Sequence, residues 1–165
     1  MKDQAPQKIP AEEKGAVLIV GWREWIALPD LGVTSVKAKI DTGARTSALH
    51  AINIHYVQLK GRVYVRFDVH PKQKSEKTLV SCEAPLLEER YITDSGGKRT
   101  LRPVIETTFL IAGQTVSAEL TLITRDAMGF RMLIGRQALR QRFVVHPGAS
   151  YLGNKAPAKT RKRKG

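Results

Sequence analysis

One cysteine in 165 residues, Cys82, excludes an internal disulfide and any zinc site assembled from several thiolates, and it fits a reducing compartment. No apolar run comes near the roughly 20 residues that a membrane-spanning helix requires, so no membrane contact is expected. Aromatic residues make up only 6% of the chain and form no stripe interleaved with cations, which counts against a platform for stacking nucleic-acid bases. The four histidines, His50, His55, His70 and His146, show neither a His-Glu-x-x-His motif nor any tight ligand spacing. His50 and His55, five apart on an extended segment, fall on opposite faces. No resident metal is expected, and without a glycine-rich phosphate loop no nucleotide cofactor is expected either.

Acids are the scarcer charge: 28 Lys and Arg face 15 Asp and Glu, a net charge of +13. Residues 155–165 hold six basic residues and no acid, while the charges of residues 1–14 cancel, so residues 15–154 keep +7. Both ends are too polar to offset the entropy of ordering them. Residues 1–14 read as a disordered lead-in with no secretory signal, and residues 155–165 as a disordered basic tail. One domain, 15–154, is left between them. Its positive charge favours an anionic partner, the tail suits a ribosomal or nucleic-acid contact, and the cytoplasm is the expected location.

Apolar residues cluster in short β-branched runs, as expected for an all-β domain. The runs predict strands near 16–20, 36–40, 52–59, 62–69, 78–83, 88–93, 99–110, 114–123 and 132–134. Lys60-Gly61, Ala112-Gly113 and Asp94-Ser95-Gly96-Gly97 supply turns between them. One short helix is expected from Arg136 to Gln141, after Gly135.

The strand ending at Ile40 runs into Asp41-Thr42-Gly43-Ala44. Taken alone, this is a tight turn in which Asp41 caps, Thr42 bonds locally and Gly43 takes a positive φ angle. A second element gives it weight: Met132-Leu133-Ile134-Gly135-Arg136-Gln137-Ala138-Leu139, an apolar strand broken by Gly-Arg and followed by a helical turn. Together the two resemble the retropepsin-like aspartic proteases. Asp41 to His50, with Arg102-Pro103-Val104-Ile105, is similar to a bacterial branch of that group, often labelled "ATP-dependent zinc protease", some of whose members accompany ATP-grasp ligases of the RimK type. The likeness extends over about 17–151.

The resemblance implies a closed acid-protease β-barrel in which Asp41 is the catalytic acid/base. Thr42 would link two motifs across a dimer axis, and Gly43 would let backbone approach backbone or substrate. Such chemistry needs two carboxylates sharing one proton. This chain has a single Asp-Thr-Gly, so the second would come from another copy, making a homodimer the working unit. Ala44 would line the substrate site, with Ile134, Gly135, Arg136 and His50 supporting it.

Viral retropepsins follow Asp-Thr-Gly-Ala with an acid that pairs with the later Gly-Arg arginine. Here that position is Arg45, so two guanidiniums would meet unless Glu106, Asp94 or Glu88 intervenes or the substrate supplies the acid. Arg45, with Arg136, Arg99 or Arg102, is thus expected to select an acidic peptide, since guanidinium forks match carboxylates. RimK-type ligases append glutamates to protein tails, and trimming such tails is the activity the resemblance implies. A flap is expected either at 70–75 or, preferably, at 91–99, where Gly96 and Gly97 would hinge. Ser47 and Cys82 lack a neighbouring base and read as structural. Trp22 and Trp25 read as barrel packing. Two rival readings are a basic RNA- or ribosome-binding β-barrel without catalysis and a zinc-dependent protease.

Overall fold

A computed structural model describes residues 17–72, 77–124 and 129–153. The expected lead-in 1–14 and tail 155–165 lie outside the described residues. Among the described residues are eleven strands, a 3-10 turn (Pro29–Leu31) and one short α-helix: β1 (Leu18–Leu28), β2 (Val33–Ile40), β3 (Ser47–His50), β4 (Ile52–Leu59), β5 (Arg62–Val69), β6 (Val80–Pro85), β7 (Glu88–Thr93), β8 (Arg99–Ile111), β9 (Gln114–Ile123), β10 (Met132–Ile134), α1 (Arg136–Leu139) and β11 (Phe143–Ser150). The fold is all-β apart from these short helical turns. Lys60-Gly61 and Ala112-Gly113 have φ of 51° and 74°, and 49° and 75°, the paired left-handed residues of a hairpin turn that continues the strand twist.

The main sheet has the order β11-β1-β2-β10-β3-β9-β8-β7, and a bridge between Ala27 of β1 and Leu110 of β8 closes its middle into a ring. β11 and β7 are left as the outer strands. A separate sheet, β4-β5-β6, lies between β3 and β7 in the chain. Strand alternation divides the ring's residues into an inner and an outer set. One inner rung runs from Glu24 through Ala38, Met132 and Leu49 to Leu122, each the direct cross-strand partner of the next. Its apolar members are at most 1% exposed and join Ile26, Val36, Ile105, Phe109 and Leu120 in the core. The neighbouring outer rung runs Arg23, Lys39, Leu133, Ala48, Thr121, Val104, Glu88.

The structure alters the expected elements in six places: β2 begins three residues before Val36, β6 is shifted two residues beyond the expected 78–83, and four larger changes follow. β1 continues eight residues beyond Val20, so Trp22 and Trp25 lie within a strand. β3 was hidden because Ser47, Ala48, Leu49 and His50 are all buried and show no alternation. β11 was hidden because it holds Pro147-Gly148; as an outer strand it tolerates a missing N–H, and its register with β1 shifts there, between Gly21 and Arg23. The helix stops at Leu139, two residues early, because Arg140 leaves the helical region at φ −55°, ψ 129°.

Candidate active site

Asp41 follows the last residue of β2, at the point where two separate segments of chain are bonded back to back. The Asp41 N–H donates to the Ile134 carbonyl at 2.8 Å, and the Arg136 and Gln137 N–H groups donate to the Ala44 and Arg45 carbonyls at 2.8 and 3.0 Å. Within the turn, the Ala44 N–H reaches the Asp41 carbonyl at 3.2 Å. The Arg136 guanidinium donates to the Thr42 carbonyl at 2.9 Å. β10 makes this possible by lying between β2 and β3, parallel to one and antiparallel to the other, so that Gly135 emerges beside the Asp41 turn.

Gly135 is needed for this approach. A Cβ there would sit 2.7 Å from the Thr46 carbonyl carbon and 2.8 Å from the Arg45 oxygen. Its N–H donates to the buried Ser47 hydroxyl at 3.0 Å, and the Ser47 carbonyl accepts from Thr121 Oγ1 at 3.1 Å. Ser47 is thus structural, as expected, but with a role the sequence did not disclose: it accepts the Gly135 N–H where the two segments touch. The signal lay in a hydroxyl two residues beyond Arg45, in a strand too short to recognise.

The outcome at Asp41 is a fixed backbone with an accessible side chain. Asp41 is half-buried, and Thr42 and Gly43 are exposed. The Gly43 N–H donates to Asp41 Oδ1 at 3.0 Å. Among the described residues no hydrogen bond reaches the other oxygen, Oδ2. Gly43 does not take the positive φ angle expected of a plain turn glycine. What it spares is room, since a Cβ there would stand 3.2 Å from Asp41 Oδ1. Beside Thr42 lies a recess of about 390 Å³ lined also by Arg136, Leu139, Arg140, Phe143 and Val145.

Arg136 uses a backbone carbonyl where a carboxylate was looked for. Of the acids considered for it and for Arg45, Glu88 holds Arg90 and Glu106 accepts the Ser117 hydroxyl at 3.0 Å. Asp94 accepts the Lys98 N–H at 2.9 Å. Arg45 is exposed, and no ion pair forms to it among the described residues. Arg102 is 8% exposed and donates from Nε to Thr100 Oγ1 at 3.0 Å. Burial pulls its pKa down, opposed by the charge of Asp94. Two residues along β8 from Val104, Arg102 shares the outer face with the rung Leu133-Ala48-Thr121-Val104. Arg99 lies over the Tyr91 ring at 4.2 Å, and Asp94 to Gly97 form the tip of the β7–β8 hairpin, with Gly97 at φ 84°. The alternative flap segment, 70–75, lies partly outside the described residues.

His50 is buried at the end of β3, its N–H donating to the Arg131 carbonyl at 2.8 Å, while His55 is exposed on β4. The two therefore occupy different sheets rather than one extended segment. Among the described residues, no three His, Cys, Asp or Glu side chains lie close enough to share a metal ion.

An Asp-Thr-Gly turn locked by a Gly-Arg element inside an all-β ring defines the class as retropepsin-like. The chain belongs to the RimB-like family, described as "Retropepsin-like aspartic endopeptidase RimB", whose model matches residues 19–156. It is 43% identical over 129 residues to a probable alpha-L-glutamate ligase of Desulfotalea psychrophila, covering 78% of this chain and 28% of that protein. A probable alpha-L-glutamate ligase of Shewanella pealeana is 43% identical over 138 residues, covering 83% of this chain and 30% of the relative. The chain thus spans under a third of these curated relatives. Among solved structures, a Legionella pneumophila protein of unknown function matches with a TM-score of 0.71 and 26% identity, over 83% of this chain and 98% of that one.

Proposed function

We infer that the protein is an aspartic endopeptidase that works as a homodimer, with Asp41 of each copy facing the other. The observation that carries this reading is the Asp41-Thr42-Gly43 turn, immobilised by the backbone of 134–137 yet open at Asp41 Oδ2. In the reaction one carboxylate is ionised and takes a proton from water as the water oxygen bonds to the scissile carbonyl carbon. The other carboxylic acid protonates the carbonyl oxygen. Collapse of the tetrahedral intermediate breaks the C–N bond, and the amine leaves with a proton. A single motif in the chain supports the dimer, and the exposed Thr42 beside an open recess gives the second copy somewhere to sit.

Acidic peptides are the substrate class that fits. Arg45 presents an exposed guanidinium beside the turn, and the outer face adjoining it carries Lys39 and Arg102. The curated relatives, named as probable glutamate ligases, agree with a substrate bearing added glutamates.

Cleavage of a glutamate-rich peptide is compared with that of a neutral one; equal rates would remove the acidic preference. Mixing the wild type with excess Asp41→Asn protein tests the dimer, since inactive partners then depress activity beyond simple dilution. A proton-sharing dyad gives a bell-shaped pH profile with an acidic lower limb and is indifferent to chelators, whereas chelator-sensitive activity would favour a zinc protease.

A further inference from the structure

Arg90 and Arg102 stand directly opposite each other on β7 and β8, yet their surroundings differ. Like charges so placed repel, and each calls for an acid. Arg90 has two: Glu119, whose Oε2 lies 2.8 Å from Nη1, and Glu88; hydrogen bonds to both hold its pKa above the ordinary guanidinium value. Arg102 has neither. Among the described residues its one hydrogen bond runs from Nε to Thr100 Oγ1 at 3.0 Å, so both terminal nitrogens lack a partner although the residue is only 8% exposed. A charge withdrawn from water needs compensation, and the fold supplies a single hydroxyl.

Neighbouring groups do not make up the difference. Glu88 and Glu119 are committed to Arg90, and Glu106 accepts the Ser117 hydroxyl. The other cations nearby are engaged elsewhere: Arg131 Nη1 lies 3.4 Å from His50 Nδ1, and Arg99 covers the Tyr91 ring at 4.2 Å. Arg45 offers a different case. It is exposed, so water and salt screen its charge and no partner is required. Arg102 alone combines burial with an unused guanidinium fork among these residues, on the same face of β8 as Val104 and the outer rung.

We propose that Arg102 anchors a distal anion subsite: its two terminal nitrogens receive, as a fork, one glutamate or aspartate side chain of the bound polypeptide, several residues from the bond cleaved at Asp41. The inference rests on the acidic-substrate reading above and narrows it from a general preference for negative charge to one carboxylate at one position. The outer rung Lys39-Leu133-Ala48-Thr121-Val104 separates the two residues. Asp41 lies two residues past Lys39 and Arg102 two residues before Val104, on strands that run the same way, so they flank the rung on opposite sides. With ~4.8 Å between strands and ~3.4 Å per residue, the path over the sheet between their Cα atoms is roughly 23 Å. Curvature of the ring and the length of the arginine side chain shorten it, so an extended peptide of about four to seven residues spans the gap.

Binding is measured on the full-length Asp41→Asn protein, so that the outcome does not depend on turnover. The probes are a fluorescent glutamate-containing peptide of mixed sequence and a set of copies in which each acid in turn is replaced by glutamine. One position is expected to stand out, its replacement weakening binding by about tenfold while the others cost about twofold or less. Adding Arg102→Gln should weaken the parent peptide by a similar factor and erase the penalty at that one position, whereas Arg102→Lys should recover only part of the affinity, because an ammonium cannot form the fork. A scan in which no position stands out overturns the proposal, and it needs no change at Arg102. So does an Arg102→Gln protein that binds the parent peptide as before, or one that loses affinity equally for every copy, since a general field then explains the effect. Cleavage of the parent peptide by the wild-type protein is scored separately: coupling between Arg102 and one acid without any cleavage would spare the subsite and defeat the protease reading, and cleavage without coupling would do the reverse.

Discussion

Two carboxylates on adjacent strands, Glu24 and Asp41, have opposite surroundings. Glu24 faces into the ring on the rung with Ala38 and is sealed at 1% exposure, with backbone N–H groups from three residues on its oxygens. Asp41 stands half-exposed at the end of β2 with one N–H, that of its own turn, on Oδ1. A carboxylate sealed from solvent among backbone donors is out of reach of bulk water and serves a structural part; one held by its backbone but open at an oxygen can bind and activate water. The fold therefore distinguishes its structural acid from its candidate catalytic acid through burial and the number of backbone donors around each.

Substitution of the two acids should separate the effects cleanly. Asp41→Asn is expected to lower kcat by a factor on the order of a thousand or more, because the amide cannot take the water's proton, while the melting temperature stays within a few degrees. Retained cleavage by this variant ends the aspartic-protease reading. Glu24→Ala should do the reverse: it leaves three buried or half-buried N–H groups without an acceptor, at about 3–5 kcal/mol of stability by urea unfolding. Should Glu24→Ala prove as stable as the wild type, the contrast between the two acids collapses.

Much of this arrangement was visible in the sequence, and what was hidden has physical reasons. Six of the nine expected strands match to within about a residue at each end, because hairpin turns such as Lys60-Gly61 leave strong local signals. The Asp41 turn and the Ile134-Gly135-Arg136 element were paired in advance through the resemblance to the retropepsin-like proteases, whose two such elements pack together. Glu24 gave no signal, since an acid in Gly-Trp-Arg-Glu-Trp reads as a solvated charge until Leu152, just past β11, returns to it from 128 residues away. β11 was invisible for the related reason that its pairing is parallel and long-range, and its Pro147-Gly148 argues locally against a strand. Ser47 shows the same limit, for its partner Gly135 lies 88 residues off.

The frame around Asp41 offers an intermediate test. Gly135→Ala places a methyl group against the Thr46 and Arg45 backbone, where no flexible side chain can yield, so about 2–4 kcal/mol of stability should be lost, and activity with it as Asp41 shifts. Ser47→Ala removes only the acceptor of the Gly135 N–H and should cost about 1–2 kcal/mol. If Ser47→Ala lowers kcat far more than its stability loss explains, the hydroxyl sets the position of the turn as well as completing its hydrogen bonds. Equal effects of both variants would mean that the close approach at Gly135 is looser than the contact distances imply.

The smallest expected effect concerns an ionisable group that plays no part in either acid's role. Cys82, at the edge of the core in β6, donates its thiol to the Leu31 carbonyl at 3.3 Å, and burial pushes its pKa up from 9.0 to about 11, with the negative charge of Asp68 adding to the shift. The folded state thus binds the thiol proton more tightly than the unfolded chain does. Stability from this source is complete below about pH 9 and declines as pH rises toward 11. With the thiol near the domain surface, the loss should be only on the order of 1 kcal/mol once solvent screening is allowed for. Urea unfolding followed across alkaline pH should therefore show a slope that Cys82→Ala reduces but does not abolish, since Tyr56 is likewise raised, to about 12, by burial and by its hydrogen bond to Glu89. An unchanged slope in Cys82→Ala would show that the thiol is freely solvated in the folded state, and would break the link between its burial and alkaline stability.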